Sequence, residues 1–108
     1  DEVNTEQGGK IRFFQTPSGG PKIELLEPLT LDSPIGKFLE KRGEGVQQIA
    51  VKTTDIAATI NQLQSLGIRM INEEPVRGAN GTSIAFVHPS STGGVLVELV
   101  EDKTSTKQ

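Results

Sequence analysis

Two distant stretches of this chain spell one motif, and that recurrence restricts its fold more than any other feature. Phe14-Gln15-Thr16-Pro17-Ser18 leads to Gly19-Gly20, and Glu24 follows within Ile23-Glu24-Leu25-Leu26-Glu27. Phe86-Val87-His88-Pro89-Ser90 leads, after a two-residue insertion, to Gly93-Gly94, and Glu98 follows the glycine pair at the same offset as Glu24 within Val97-Glu98-Leu99-Val100-Glu101. Each copy reads as strand, glycine turn, strand. Two unrelated hairpins could share the glycines. The matching place of the glutamate makes a duplicated module the better reading.

The segments between the copies complete the picture. Asp1–Gly9 is polar and without period. Lys10–Gln15 and Lys22–Glu27 read as strands, the second ended by Pro28. Asp32-Ser33-Pro34 opens a helix with a capping side chain and an early proline, Ile35, Phe38 and Leu39 share one face, and Gly43 stops it. Val46–Val51 is the next strand. Thr54 or Asp55 caps a second helix, whose Ile56, Ile60, Leu63 and Leu66 recur at helical spacing up to Gly67. Arg69–Glu73 suggests a short strand, Asn80-Gly81 a hairpin turn into Ser83–Val87, and Gly93-Gly94 a turn into Val95–Val100. The tail from Asp102 is small and polar and is expected to fray. Strands outnumber helices and hairpins dominate the connections, so the class is α+β.

With 108 residues the chain forms one domain. It has no Trp, Tyr or Cys and only four Phe, so Ile, Leu and Val must build the core and thiolate metal sites are excluded. A net charge of −3 with mixed signs argues against nucleic acid or an anionic membrane as partner. No apolar run is long enough to span a membrane, and a cytoplasmic protein is the default expectation.

Side chains alternate along a strand, so Glu98 shares a face with Leu96 and Val100, while Val95, Val97 and Leu99 form the other. Both faces are apolar, as in a strand covered on both sides. A carboxylate there must be protonated, paired or bound to metal. Glu24 faces the same way as Leu26 and Lys22, and Gln48 the same way as Val46 and Ala50. The bland alternative makes both glutamates solvent-facing rim residues. On residue chemistry alone an oxygen-rich cation site is the furthest reading.

From Ile11 to about Glu101 the chain resembles the methylmalonyl-CoA epimerases of the vicinal-oxygen-chelate (glyoxalase/bleomycin-resistance) superfamily. The likeness is carried by Glu6-Gln7-Gly8, Lys22–Pro28, Ser33–Gly43, Gly45–Ala50, Glu73-Glu74-Pro75 and His88-Pro89 leading to Gly93–Leu99. It implies paired β-α-β-β-β modules forming a cupped mixed sheet around a divalent metal (Co, Mn, Ni or Zn). On this likeness residues 1–43 are an incomplete first module with a linking helix, 44–102 a complete second module and 103–108 a flexible tail. Glu24 and Glu98 match last-strand metal ligands, and Gln48 stands where the family carries a histidine. An amide oxygen suits borderline metals less well than an imidazole nitrogen does. No counterpart of the family's opening strand and helix is found in these residues.

The resemblance further implies metal-assisted epimerisation of methylmalonyl-CoA, a 1,1-proton transfer at the carbon α to a thioester. Glu98 is the candidate ligand and proton carrier. The second base is unassigned, because the position tested for it holds Ile11. His88, the only histidine, reads as a strand-end residue. A glyoxalase-type isomerase or lyase and a non-catalytic small-molecule-binding protein are the alternatives. Partners follow as an acyl-CoA or other small carbonyl substrate, and a homo-oligomer or a separately supplied N-terminal segment. The latter would cover Ile11, Phe13, Ile23 and Leu25, which are otherwise expected to be poorly buried.

Overall fold

The computed structural model describes residues 2–4, 9–15 and 17–102, with side chains from residue 9 onward. The Glu6-Gln7-Gly8 segment, Thr16 and the tail 103–108 lie outside the described residues. The chain divides into two compact units, Asp1–Gly45 and Val46–Gln108.

In the first unit β1 (Glu2–Asn4), β2 (Gly9–Gln15) and β3 (Lys22–Pro28) form an antiparallel sheet in that order. β1 was not expected, because its residues show no period. Its partner makes it a strand, through the pairing of Glu2 with Ile11 and Asn4 with Gly9. Helix α1 (Pro34–Arg42) then starts as its sequence requires. Ser33 Oγ accepts the Gly36 N–H at 3.1 Å and donates to Thr30 O at 2.7 Å, so one hydroxyl ties the first turn to the incoming loop. Gly43, at φ 75°, ends the helix, and its N–H reaches Leu39 O. Ile35 lies against Gly9, where an added Cβ would meet its Cδ1 at 2.5 Å, so α1 covers the Gly9/Ile11 face. Ile11 is therefore buried at 4% exposure, contrary to expectation, while Phe13, Phe14, Ile23 and Leu25 are all exposed.

The second unit holds β4 (Gln48–Lys52), α2 (Ile56–Ser65), β5 (Val76–Arg77), β6 (Thr82–Val87) and β7 (Leu96–Asp102), a β-α-β-β-β succession. Its sheet runs β4-β7-β6-β5, with β4 parallel to β7 and the other pairs antiparallel. Asp55 caps α2 by accepting the Ala58 N–H at 3.1 Å. At the other end Gly67 takes φ 83°, its N–H bonds Gln64 O and the Ile68 N–H bonds Leu63 O, the reciprocal pair that closes a helix on glycine. Ile56 and Ile60 pack with Met70, Ala85, Val87 and Leu99, and Leu63, Ile68 and Val97 border that core. Leu66, assigned from spacing to the same helix face, is instead exposed beyond the last turn.

Three further expectations shift. Arg69–Glu73 is not a strand but a single bridge from Met70 to Val87. The Ile71 N–H bonds Phe86 O, and then the Asn72 side chain, not its backbone, accepts the Phe86 N–H at 2.8 Å. That side chain interrupts the ladder, and pairing resumes only at Val76. The Asn80-Gly81 turn exists, with both residues in the left-handed region, but as the end of a 3-10 turn over Ala79–Gly81. β4 and β7 begin later than expected and end later. β7 continues through Glu101 and Asp102 because Ser83 and Thr82 pair with them. No helix among the described residues is long and apolar enough to cross a membrane.

Candidate functional site

Register brings two of the three singled-out residues together. Gln48 pairs with Leu96 and Ala50 with Glu98 across the β4–β7 ladder, and Phe86 pairs with Glu98 across β6–β7. Gln48, Ala50, Leu96, Glu98, Val100, Phe86 and Ile84 therefore share one sheet face. Gln48 lies diagonally across from Glu98, and its Nε2 donates to Glu98 Oε1 at 2.9 Å. Ala50, directly opposite Glu98, is small enough to leave that diagonal open. The carboxylate expected to need protonation, a partner or a metal has a partner in the Gln48 amide.

Coverage of this strand differs from the expectation. Within the second unit α2 packs on the Val97/Leu99 face, where Leu99 is buried; Glu98, Leu96 and Val100 are half-buried. Glu101, the second glutamate of the repeated motif, points to the helix side. Its Oε1 accepts the Ile56 N–H at 2.8 Å, meeting one of the unpaired amides at the α2 N-terminus. The motif's two glutamates thus serve opposite faces. Sequence reasoning missed this role, although the odd offset between positions 98 and 101 carries the signal.

Glu24 is exposed on β3, directly across from Phe13, on the face of Ile11 and Leu26. The sequence repeat aligned Phe14 with Phe86. Register instead makes Phe13 the counterpart, because Phe13 stands opposite Glu24 as Phe86 stands opposite Glu98. A cross-strand Phe–Glu pair is thus the common element of the two hairpins. His88 serves as a local cap. Its Nδ1 accepts the Ser90 N–H at 3.0 Å.

The chemistry of the donors decides what this face could hold. Glu98 offers carboxylate oxygens and Gln48 an amide oxygen on this face. An all-oxygen set fits a hard divalent cation such as Mn better than Zn. Among the described residues no group of three or more His, Cys, Asp or Glu side chains comes together.

The Glyoxalase/Bleomycin resistance protein/Dioxygenase superfamily model matches residues 1–86. The ethylmalonyl-CoA/methylmalonyl-CoA epimerase of Cereibacter sphaeroides is 40% identical over 96 residues, covering 87% of this chain and 70% of that protein. Human mitochondrial methylmalonyl-CoA epimerase is 44% identical over 95 residues, again 87% of this chain, which spans about half (53%) of the human protein. A solved Streptomyces coelicolor methylmalonyl-CoA epimerase variant, in complex with 2-nitronate-propionyl-CoA, is 43% identical. That match covers 94% of this chain and 73% of the other, with a TM-score of 0.66. With most of its length matched in this way, the chain is a methylmalonyl-CoA epimerase-like member of the glyoxalase/bleomycin resistance protein/dioxygenase superfamily.

Proposed function

We propose that the protein takes part in epimerising methylmalonyl-CoA or a closely related acyl-CoA, by removing and returning the proton at the carbon between thioester and carboxylate. The observation that supports this best is the 40% identity to an epimerase of which the chain spans 70%, with Glu98 held in place on the second-unit sheet. Glu98 is the proton carrier. Its carboxylate accepts the α-proton as the enolate forms. Phe86, Leu96 and Val100, all half-buried, form an apolar rim around it. Gln48 and Glu98 are proposed to hold a divalent cation through oxygen. Glu24, at the matching place in the first hairpin, is proposed separately as a candidate cation ligand of the first unit. When bound, the cation supplies positive charge that stabilises the enolate. The second acid that returns the proton is not assigned to a residue.

Deuterium wash-in at the α-carbon of methylmalonyl-CoA, followed by mass spectrometry in D2O, tests the reading. The purified protein should exchange the proton well above buffer, and Glu98→Gln should slow exchange by roughly a hundredfold or more. Wild-type exchange at the buffer rate, or an unaffected Glu98→Gln variant, would refute it.

A further inference from the structure

The turn that joins β5 to β6 gives a residue with a side chain the backbone of a glycine. Asn80 sits at φ 56° and ψ 38° and Gly81 at φ 77°, while the Thr82 N–H returns to Ala79 O. Left-handed φ at both central residues is the hairpin turn that asparagine–glycine pairs favour. Among the described residues Asn80 is the only non-glycine with positive φ.

The same pair carries a latent reaction. The side-chain carbon Cγ of an asparagine can close a five-membered ring with the next peptide nitrogen, and a following glycine leaves that nitrogen unshielded by a Cβ. Asn4, Asn61 and Asn72 precede Thr, Gln and Glu, so Asn80 alone precedes Gly. Asn61 is also fixed within α2, and the Asn72 side chain holds the Phe86 N–H. Asn80 and Gly81 are both exposed, and a Cβ added to Gly81 would meet nothing within 4 Å. Ring closure requires the Asn80 ψ to rotate away from 38°, so it proceeds from an opened turn. That opening is local. β5 is two exposed residues long and pairs only through Val76–Ile84 and Arg77–Ser83. Left-handed backbone at a non-glycine residue further favours the open form.

We propose that Asn80 is a site of spontaneous deamidation, and that its isoaspartyl product releases β5 from β6. The Gly81 nitrogen bonds Asn80 Cγ, the Cγ–Nδ2 bond breaks, and the displaced peptide proton ends on the departing ammonia. Water then opens the succinimide ring. Attack at the main-chain carbonyl leaves isoaspartate, with the chain running through Cβ and Cγ, and attack at the other carbonyl leaves aspartate. Both products carry a new negative charge, and no oxidant or reductant takes part. The isoaspartyl backbone is longer by one atom between Ala79 and Thr82. The Thr82 N–H then no longer meets Ala79 O, and the 2.9 Å bond from the Gly78 N–H to Thr82 O is lost with it. None of this depends on the epimerase reading.

The whole chain and a synthetic peptide of residues 77–83 are incubated in warm, mildly alkaline buffer, sampled, digested and read by mass spectrometry. The exchange of –NH2 for –OH should arise at Asn80 before Asn61 or Asn72, at no less than about a tenth of the peptide's rate. An isoaspartyl methyltransferase should label the aged chain but not aged Asn80→Gln, where ring closure is disfavoured. Amide hydrogen exchange at Gly78 and Thr82 should rise at least about tenfold in the isoaspartyl form. It should stay within about twofold of wild type in Asn80→Asp, which has the charge without the extra backbone atom. A slower rate than that at Asn80, or earlier reaction at another asparagine, overturns the site. Unchanged exchange in the isoaspartyl form, or an equal rise in Asn80→Asp, overturns the release of β5.

Discussion

Gly36 offers a substitution whose sign helix propensity gets wrong. It occupies the third position of α1, where replacing glycine by alanine ordinarily stabilises a helix by about 1 kcal/mol. In this protein a Cβ on Gly36 would stand 2.5 Å from Thr30 O, 2.6 Å from Leu31 O and 2.7 Å from Leu31 C. All three atoms are backbone, so no rotamer change relieves the overlap, and the 30–31 loop must move away. That movement pulls Thr30 O from Ser33 Oγ, which also caps the Gly36 N–H. Overpacking at a tight site costs about 2 kcal/mol and a weakened cap about 1 kcal/mol, against the gain of about 1. The net loss expected for Gly36→Ala is about 2 kcal/mol. Amide hydrogen exchange in α1 reads the loss where it arises, and protection there should fall about thirtyfold. Gly45→Ala is the control, since nothing lies within 4 Å of its added Cβ, and it should leave protection unchanged. Equal or higher α1 protection in Gly36→Ala would refute the reasoning.

In the second unit Ile60 is 1% exposed. Ile60→Ala should destabilise that unit by about 3 kcal/mol, read from exchange of the β6 and β7 amides; a loss under about 1 kcal/mol would mean the core refills the cavity. After dialysis against Mn, Co, Ni and Zn salts, elemental analysis should find metal in wild type and less in Glu98→Ala and Glu24→Ala. Equal, near-zero content in all three would remove the metal from the proposal. Light scattering should find a dimer or larger assembly, because Phe14, Ile23 and Leu25 expose one apolar sheet face. A cooperatively unfolding monomer of 11.6 kDa would contradict this.

Local chemistry is what the residues by themselves determined. Ser33-Pro34 starts α1, Asp55 starts α2, and glycines at 43 and 67 end them, because caps and left-handed glycines act within a few residues of chain. The two hairpins and their glutamates were legible for the same reason, since alternation and turn residues are short-range signals. Partnership across the chain was not. Glu2–Asn4 has no strand pattern and becomes one through β2, while Met70 has a strand's neighbours and is left a lone bridge by the Asn72 side chain. The sequence repeat matched the wrong phenylalanine, because spacing cannot settle a one-residue register and the ladder can. Glu98 was marked from sequence as a carboxylate in need of a partner. That the partner is the amide of Gln48, fifty positions away, and that Glu101 turns to the α2 N-terminus, depended on which strands lie side by side. A hydrogen bond between distant residues has no energy until the fold brings them within about 3 Å, so only tertiary structure decided it.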